Sequence, residues 1–139
     1  MYADYTFYSD VFLGDLISPG EFDKYATRAS DFIDYFTMGK SKKNADLAEV
    51  KKCCCALAEQ YMTISTIRAA TAAKVTADGI IASETVGSHS RSFRTGTDGT
   101  QAVTAETAEL ANIARRHLMP TGLLYRGIGG CDCCTHRTP

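Results

Sequence analysis

Residues 18–36, SPGEFDKYATRASDFIDYF, decide the class of fold. Ser18 and Glu21 stand at capping-box spacing, and Pro19 falls in the first helical turn, where its missing N–H is harmless. From there Phe22, Tyr25, Ala26, Ala29, Phe32, Ile33 and Phe36 recur at helical intervals, while Asp23, Lys24, Thr27, Asp31 and Asp34 take the other faces. The pattern predicts an amphipathic helix of about 18 residues ending at Gly39.

Upstream, residues 4–12 read as a short helix with Tyr5, Tyr8 and Phe12 on one side and Gly14 as its stop. It is too short to stand alone and must pack on something longer. Downstream, Lys40, Lys42 and Lys43 lead to Asn44, the predicted N-cap of a second long helix. Leu47, Val50, Cys54, Leu57, Tyr61 and Ile64 then alternate steps of three and four, the rhythm of a helix packed lengthwise on another. This helix is expected to run through the alanines near Ala73 and to end at Asp78 and Gly79.

The pattern breaks at residues 80–93, IIASETVGSHSRSF, where β-branched residues and serines replace helical periodicity. They read as a strand with a bend or bulge at Gly87. The polar stretch from Arg94 to Gln101 offers no convincing partner strand, so the exposed backbone needs another edge; a second subunit is a candidate source, and pairing within or between subunits stays open. A last helix is predicted from about Thr104, with Leu110, Ala111, Ala114 and Leu118 on one face, stopping before Pro120. The fold class is therefore mainly α, a small helical bundle with an extended arm over about 80–101. Residues 1–129 form the domain and residues 130–139 a flexible, Cys-rich tail. The expected core is Phe22, Tyr25, Phe32, Ile33, Phe36, Leu47, Val50, Leu57, Tyr61, Ile64, Leu110 and Leu118.

Composition narrows the function. A chain of 139 residues, 45% hydrophobic and 22% charged with a net charge of −1, fits one globular domain and excludes a wholly disordered chain, and its balance of 15 basic and 16 acidic residues argues against a generic basic nucleic-acid binder. No apolar run reaches the roughly 20 residues of a membrane span, and MYADYTFYSD lacks the features of a signal peptide, so a cytosolic protein with reduced thiols is expected. The charge is unevenly placed. Seven acids stand against Lys24 and Arg28 through residue 35, a net of −5, while the remainder carries 13 bases and 9 acids, a net of +4. Ten of the 13 aromatic residues lie in the first 36 positions. An acidic aromatic front and a basic back suit self-association.

The motifs of common enzymes, GxSxG, GxxxxGK[ST], HExxH and GxGxxG, are missing. His89, His117 and His136 form no recognisable triad, and His117 near a helix C-terminus reads as a cation favoured by the helix dipole. Cys53, Cys54 and Cys55 lie about 100° apart around a helix and cannot share one metal. Cys54 belongs to the packed stripe, with its neighbours at the edges. Cys131, Cys133, Cys134 and His136 line up four soft ligands, but C-x-C-C-x-H lacks the two-residue gap of a zinc knuckle. No metal or other cofactor is therefore expected. The lysines read first as a solvated face.

Five stretches in order, YADYTFYSDVFLG (2–14), SPGEFDKYATRASDFIDYFTMG (18–39), CCCALAEQYM (53–62), ASETVGSHSRSF (82–93) and IARRHLMPTGLLYRGI (113–128), resemble the small head-tail connector, or adaptor, proteins of tailed bacteriophages and prophages. The resemblance reaches Gly129 and leaves the cysteine-rich end unassigned. It implies a helical protein without an active site, assembled as a ring, usually dodecameric, beneath the portal protein. Such a ring extends the DNA channel and carries the next neck protein, a stopper or tail-completion protein. The implied location is the virion neck, with the host cytoplasm during assembly.

Within that frame, Ile81, Ser83, Thr85, Val86, Ser88, Arg91 and Phe93 are the candidate intersubunit arm. Leu123, Leu124, Tyr125 and Arg126 are a candidate docking segment for the portal or an adjacent copy. Lys40, Lys42 and Lys43 are candidate contacts to DNA that passes without being read. The competing reading is a small regulatory module that binds zinc or contacts DNA through Arg91, Arg94, Arg115 and Arg116.

Overall fold

Ser18 and Pro19 open the first long helix where the sequence places it. In the computed structural model, which describes residues 1–78, 83–86, 89–92 and 97–125, this helix is α2, Pro19–Phe36. Before it come a single turn, α1 (Tyr5–Phe7), and a continuing π-helical segment, Tyr8–Phe12. After it come a 3-10 turn (Lys40–Asn44), the long helix α3 (Ala48–Asp78), strands β1 (Ser83–Val86) and β2 (His89–Ser92), helix α4 (Thr97–Leu118) and a 3-10 turn, Met119–Thr121. The protein is a mainly α-helical bundle.

Helix α3 is the central member, packing against α2, α4 and the π-helical segment. Its surroundings explain why Cys53, Cys54 and Cys55 are all fully buried, whereas the heptad rhythm marks only Cys54 for the core. The rhythm reports one contact face; a helix flanked on several sides buries residues all around. Cys54 Sγ lies 3.5 Å from Ser30 Oγ and 3.5 Å from the Ala26 carbonyl oxygen on α2. Of the expected core, Phe22, Tyr25, Ile33, Val50, Leu57, Ile64, Leu110 and Leu118 are buried and Phe32, Phe36 and Tyr61 are half-buried, but Leu47 is exposed. Leu47 precedes α3 rather than forming its first core position.

The boundaries correct three expectations. Asn44 does not cap α3: it ends the 3-10 turn, donating from Nδ2 to the Lys40 carbonyl at 3.0 Å, and α3 begins at Ala48. Helix α4 begins at Thr97, so part of the stretch read as a polar loop is helical. Residues 83–92 are not one partnerless strand. β1 and β2 pair antiparallel within the chain, in the register Ser83↔Ser92, Glu84↔Arg91, Thr85↔Ser90 and Val86↔His89.

Gly14 also differs from its expected role. The stop after the π-helical segment is Leu13, held in the left-handed region at φ 60 with its N–H bonded to the Tyr8 carbonyl. Such a conformation costs a leucine about 1 kcal/mol. Gly14 serves packing: a Cβ there would lie 2.1 Å from Tyr8 Cε2 and 2.3 Å from Cζ. The Tyr8 ring is fully buried against Phe22, centroids 4.8 Å apart. Its hydroxyl donates to Glu59 Oε1 at 2.9 Å and accepts from the backbone N–H groups of Leu16 at 3.0 Å and Ile17 at 3.2 Å. One side chain thus ties the N-terminal turn to α3 and leaves its own polar atom satisfied.

Candidate functional site

At the C-terminal end of α2, Thr37, Met38 and Gly39 reverse the chain. Met38 and Gly39 are consecutive left-handed residues, at φ 55 and 76, and the Gly39 N–H returns to the Asp34 carbonyl at 2.8 Å. The reversal is fastened from inside. Tyr2 and Ser41 hydroxyls both donate to Asp34 Oδ1, Ser41 at 2.7 Å, and Ser41 Oγ lies 2.8 Å from Thr37 Oγ1. Asp34 Oδ2 stands 3.8 Å from Lys42 Nζ.

The chain leaving α4 arrives at this same end. Thr121 Oγ1 donates to the Leu118 carbonyl at 2.7 Å and accepts from the Leu123 N–H at 3.2 Å, while Gly122 turns the backbone at φ 72. Lys40 Nζ then donates to the Tyr125 carbonyl oxygen. Met38, Lys40, Lys43, Asn44, Thr121 and Leu123 line a shallow groove of about 470 Å³ between the two segments. Met119 and Tyr125 are exposed beside it, and Met38 is exposed at its wall.

Two groups of residues that the sequence separates by some 80 positions are therefore neighbours. Their roles need adjustment. Leu123 is buried and Leu124 half-buried against the chain's own core, so Tyr125 is the exposed described member of the candidate docking segment. Lys42 pairs with Asp34 and Lys40 holds a backbone carbonyl, whereas Lys43 makes no side-chain hydrogen bond or ion pair among the described residues. Of the candidate arm, Ser83, Thr85 and Val86 lie in β1 and Arg91 in β2. Ile81, Ser88, Phe93, Arg94 and Arg126 lie outside the described residues, as do Cys131, Cys133, Cys134 and His136.

Elsewhere, Arg115 stacks its guanidinium over Phe36, 5.7 Å from the ring centroid, and bonds Asn112 Oδ1 at 3.1 Å. His117 is half-buried, and burial, with Arg116 and Lys52 nearby, pushes its pKa down, which disfavours the helix-end cation expected from the sequence. A second groove, about 270 Å³, lies between α3 and α4, bordered by the Arg68–Glu106 ion pair. Burial pushes the thiols of Cys53 and Cys55 up to about 12 and that of Cys54 upward, the opposite of what a nucleophile needs. No group of three metal-ligating side chains forms among the described residues. None of the described helices is long and apolar enough to cross a membrane.

No protein-family model matches the chain, and no match is found among curated proteins or solved structures.

Proposed function

We propose that this chain is a structural virion protein, a head-tail connector that forms an oligomeric ring on the portal protein and extends the DNA channel toward the tail. The reading is carried by the five ordered stretches between Tyr2 and Ile128 that resemble such adaptors. The helical bundle supports it, as does the β1–β2 arm between α3 and α4, whose strands pair with each other. So does the basic groove where the chain leaves α4, an end suited to a neighbouring protein. The ring would be dodecameric as the resemblance implies, with a stopper or tail-completion protein on its far side. DNA passes through such a ring unread, and a nearly balanced total charge keeps phosphates from being held. The protein would reside in the virion neck after assembly in the host cytoplasm. No reaction or cofactor is assigned to it.

Electron microscopy of the full-length chain mixed with its portal protein tests the reading. Ring density beneath the portal is expected. A portal that stays bare, in particles that carry this protein elsewhere, would overturn the assignment.

A further inference from the structure

The two ends of α2 carry opposite surfaces. At its N-terminal end, the turn from Asp10 to Leu16 presents Val11, Leu13 and Leu16, 53%, 77% and 54% exposed, between the exposed carboxylates of Asp10 and Asp15. This turn is stiff. Leu13 is locked in its left-handed conformation by the bond to Tyr8, Gly14 lies against the Tyr8 ring, and the Tyr8 hydroxyl holds the amides of Leu16 and Ile17. A leucine held in an uncommon backbone conformation while its side chain faces water marks a surface built for contact.

At the other end lies the groove of Met38, Lys40, Lys43 and Leu123, with Met119 and Tyr125 exposed beside it. Its character is complementary: apolar side chains with ammonium groups. The 18 residues of α2 separate the two surfaces by about 27 Å, so one copy cannot close its turn into its own groove.

We infer that the Asp10–Leu16 turn of one copy docks into the basic groove of a second copy, Leu13 and Leu16 against Met38 and Tyr125, with Asp15 toward Lys43. This names the copy-to-copy contact of the ring proposed above and rests on that reading. Because the surfaces differ and sit at opposite ends of a rigid helix, the contact is heterologous. Each copy gives one turn and receives another, and growth continues until the ring closes. The split of charge between the front and the remainder of the chain becomes the recognition code.

The test mixes isotopically heavy and light full-length chain and joins carboxylates to amines with a zero-length carbodiimide. Heavy–light peptides linking Asp10 or Asp15 to Lys40 or Lys43 are expected. Leu13→Glu and Lys43→Glu, each checked for unchanged helicity by circular dichroism, should each lower their yield at least about tenfold. The double variant Asp15→Lys with Lys43→Glu should restore association in sedimentation velocity. An equimolar mixture of the Leu13→Glu and Lys43→Glu chains should stop at dimers, because only one productive pairing remains.

Turn-to-turn links, links confined to other surfaces, or a chain that stays monomeric up to about 1 mM would overturn the contact. Rings on the portal that cross-link elsewhere would overturn this contact and leave the connector reading standing. Oligomers sensitive to Leu13→Glu, formed by a chain that ignores the portal, would do the reverse.

Discussion

Tyr8 and Gly14 form a lock in which neither residue can change alone. A Cβ on Gly14 would lie 2.1 Å from the Tyr8 ring, which is fully buried and has no room to retreat. Gly14→Ala should therefore cost about 2 kcal/mol or more, as overpacked cores do, read as a lower urea midpoint. Gly20 is the control: a Cβ there meets nothing within 4 Å, and Gly20→Ala in the first turn of α2 should stabilise by about 0.5 kcal/mol. Tyr8→Phe keeps the ring but strands the amides of Leu16 and Ile17 and the carboxylate of Glu59, a loss of about 1–3 kcal/mol in the same assay. The aromatic character of the front was legible in the sequence. The lock was not, because a glycine beside an apolar run reads as a helix stop, and the ring it accommodates is fixed by a partner on α3, 51 positions from Tyr8.

Among the elements, α2 was legible from its proline and its one-sided apolar pattern, but the capping box does not form: Ser18 makes no side-chain bond to the backbone and its hydroxyl donates to Glu21 Oε2 at 3.3 Å. α3 was legible in its length but not in its surroundings. A central helix hides its extra contacts from periodicity, and three adjacent thiols enter the core. That burial has a pH consequence. Below pH 9 both the folded and the unfolded chain hold these protons, and folding is indifferent to them. As pH rises from 9.0, the ordinary value, toward about 12 for Cys53 and Cys55, the unfolded chain releases protons that the folded chain keeps. Stability should fall by about 1.4 kcal/mol per pH unit for each such thiol over that window. Tyr8, pushed up to about 12 by burial and by its bond to Glu59, adds the same slope above 10. Urea midpoints between pH 8 and 11 check this, and a Cys53→Ala, Cys55→Ala chain should show a shallower decline from whatever stability it starts with. The strand segment was legible as extended and misread as unpaired, since its mix of serines and β-branched residues gives no apolar alternation strong enough to separate one strand from two.

For the molecule as a whole, α2, α3 and α4 supply most of the buried cluster among the described residues, and β1 and β2 pair chiefly with each other. Replacing residues 80–93 with a glycine-serine linker should leave the urea midpoint of the monomer nearly unchanged, because β1 and β2 pair chiefly with each other. The remaining prediction concerns ionic strength, where folding and assembly should part company. The described ion pairs, Lys42–Asp34 and Arg68–Glu106, each have a lysine or arginine side chain more than 60% exposed, and such pairs contribute little to folding. Screening them should hardly move the denaturation midpoint. Assembly through an acidic turn and a lysine-rimmed groove depends instead on charges of opposite sign meeting across copies, and salt shortens their reach from more than 10 Å to a few ångströms. Between about 0.05 and 0.5 M sodium chloride the association constant from sedimentation equilibrium should drop several-fold, up to about tenfold. Lys43→Glu should flatten that dependence, because the charge the salt screens is no longer there. A purely apolar contact would respond in the opposite sense, holding steady or tightening as salt is added. The sign of the salt effect therefore decides whether the charge asymmetry along the chain is used in assembly.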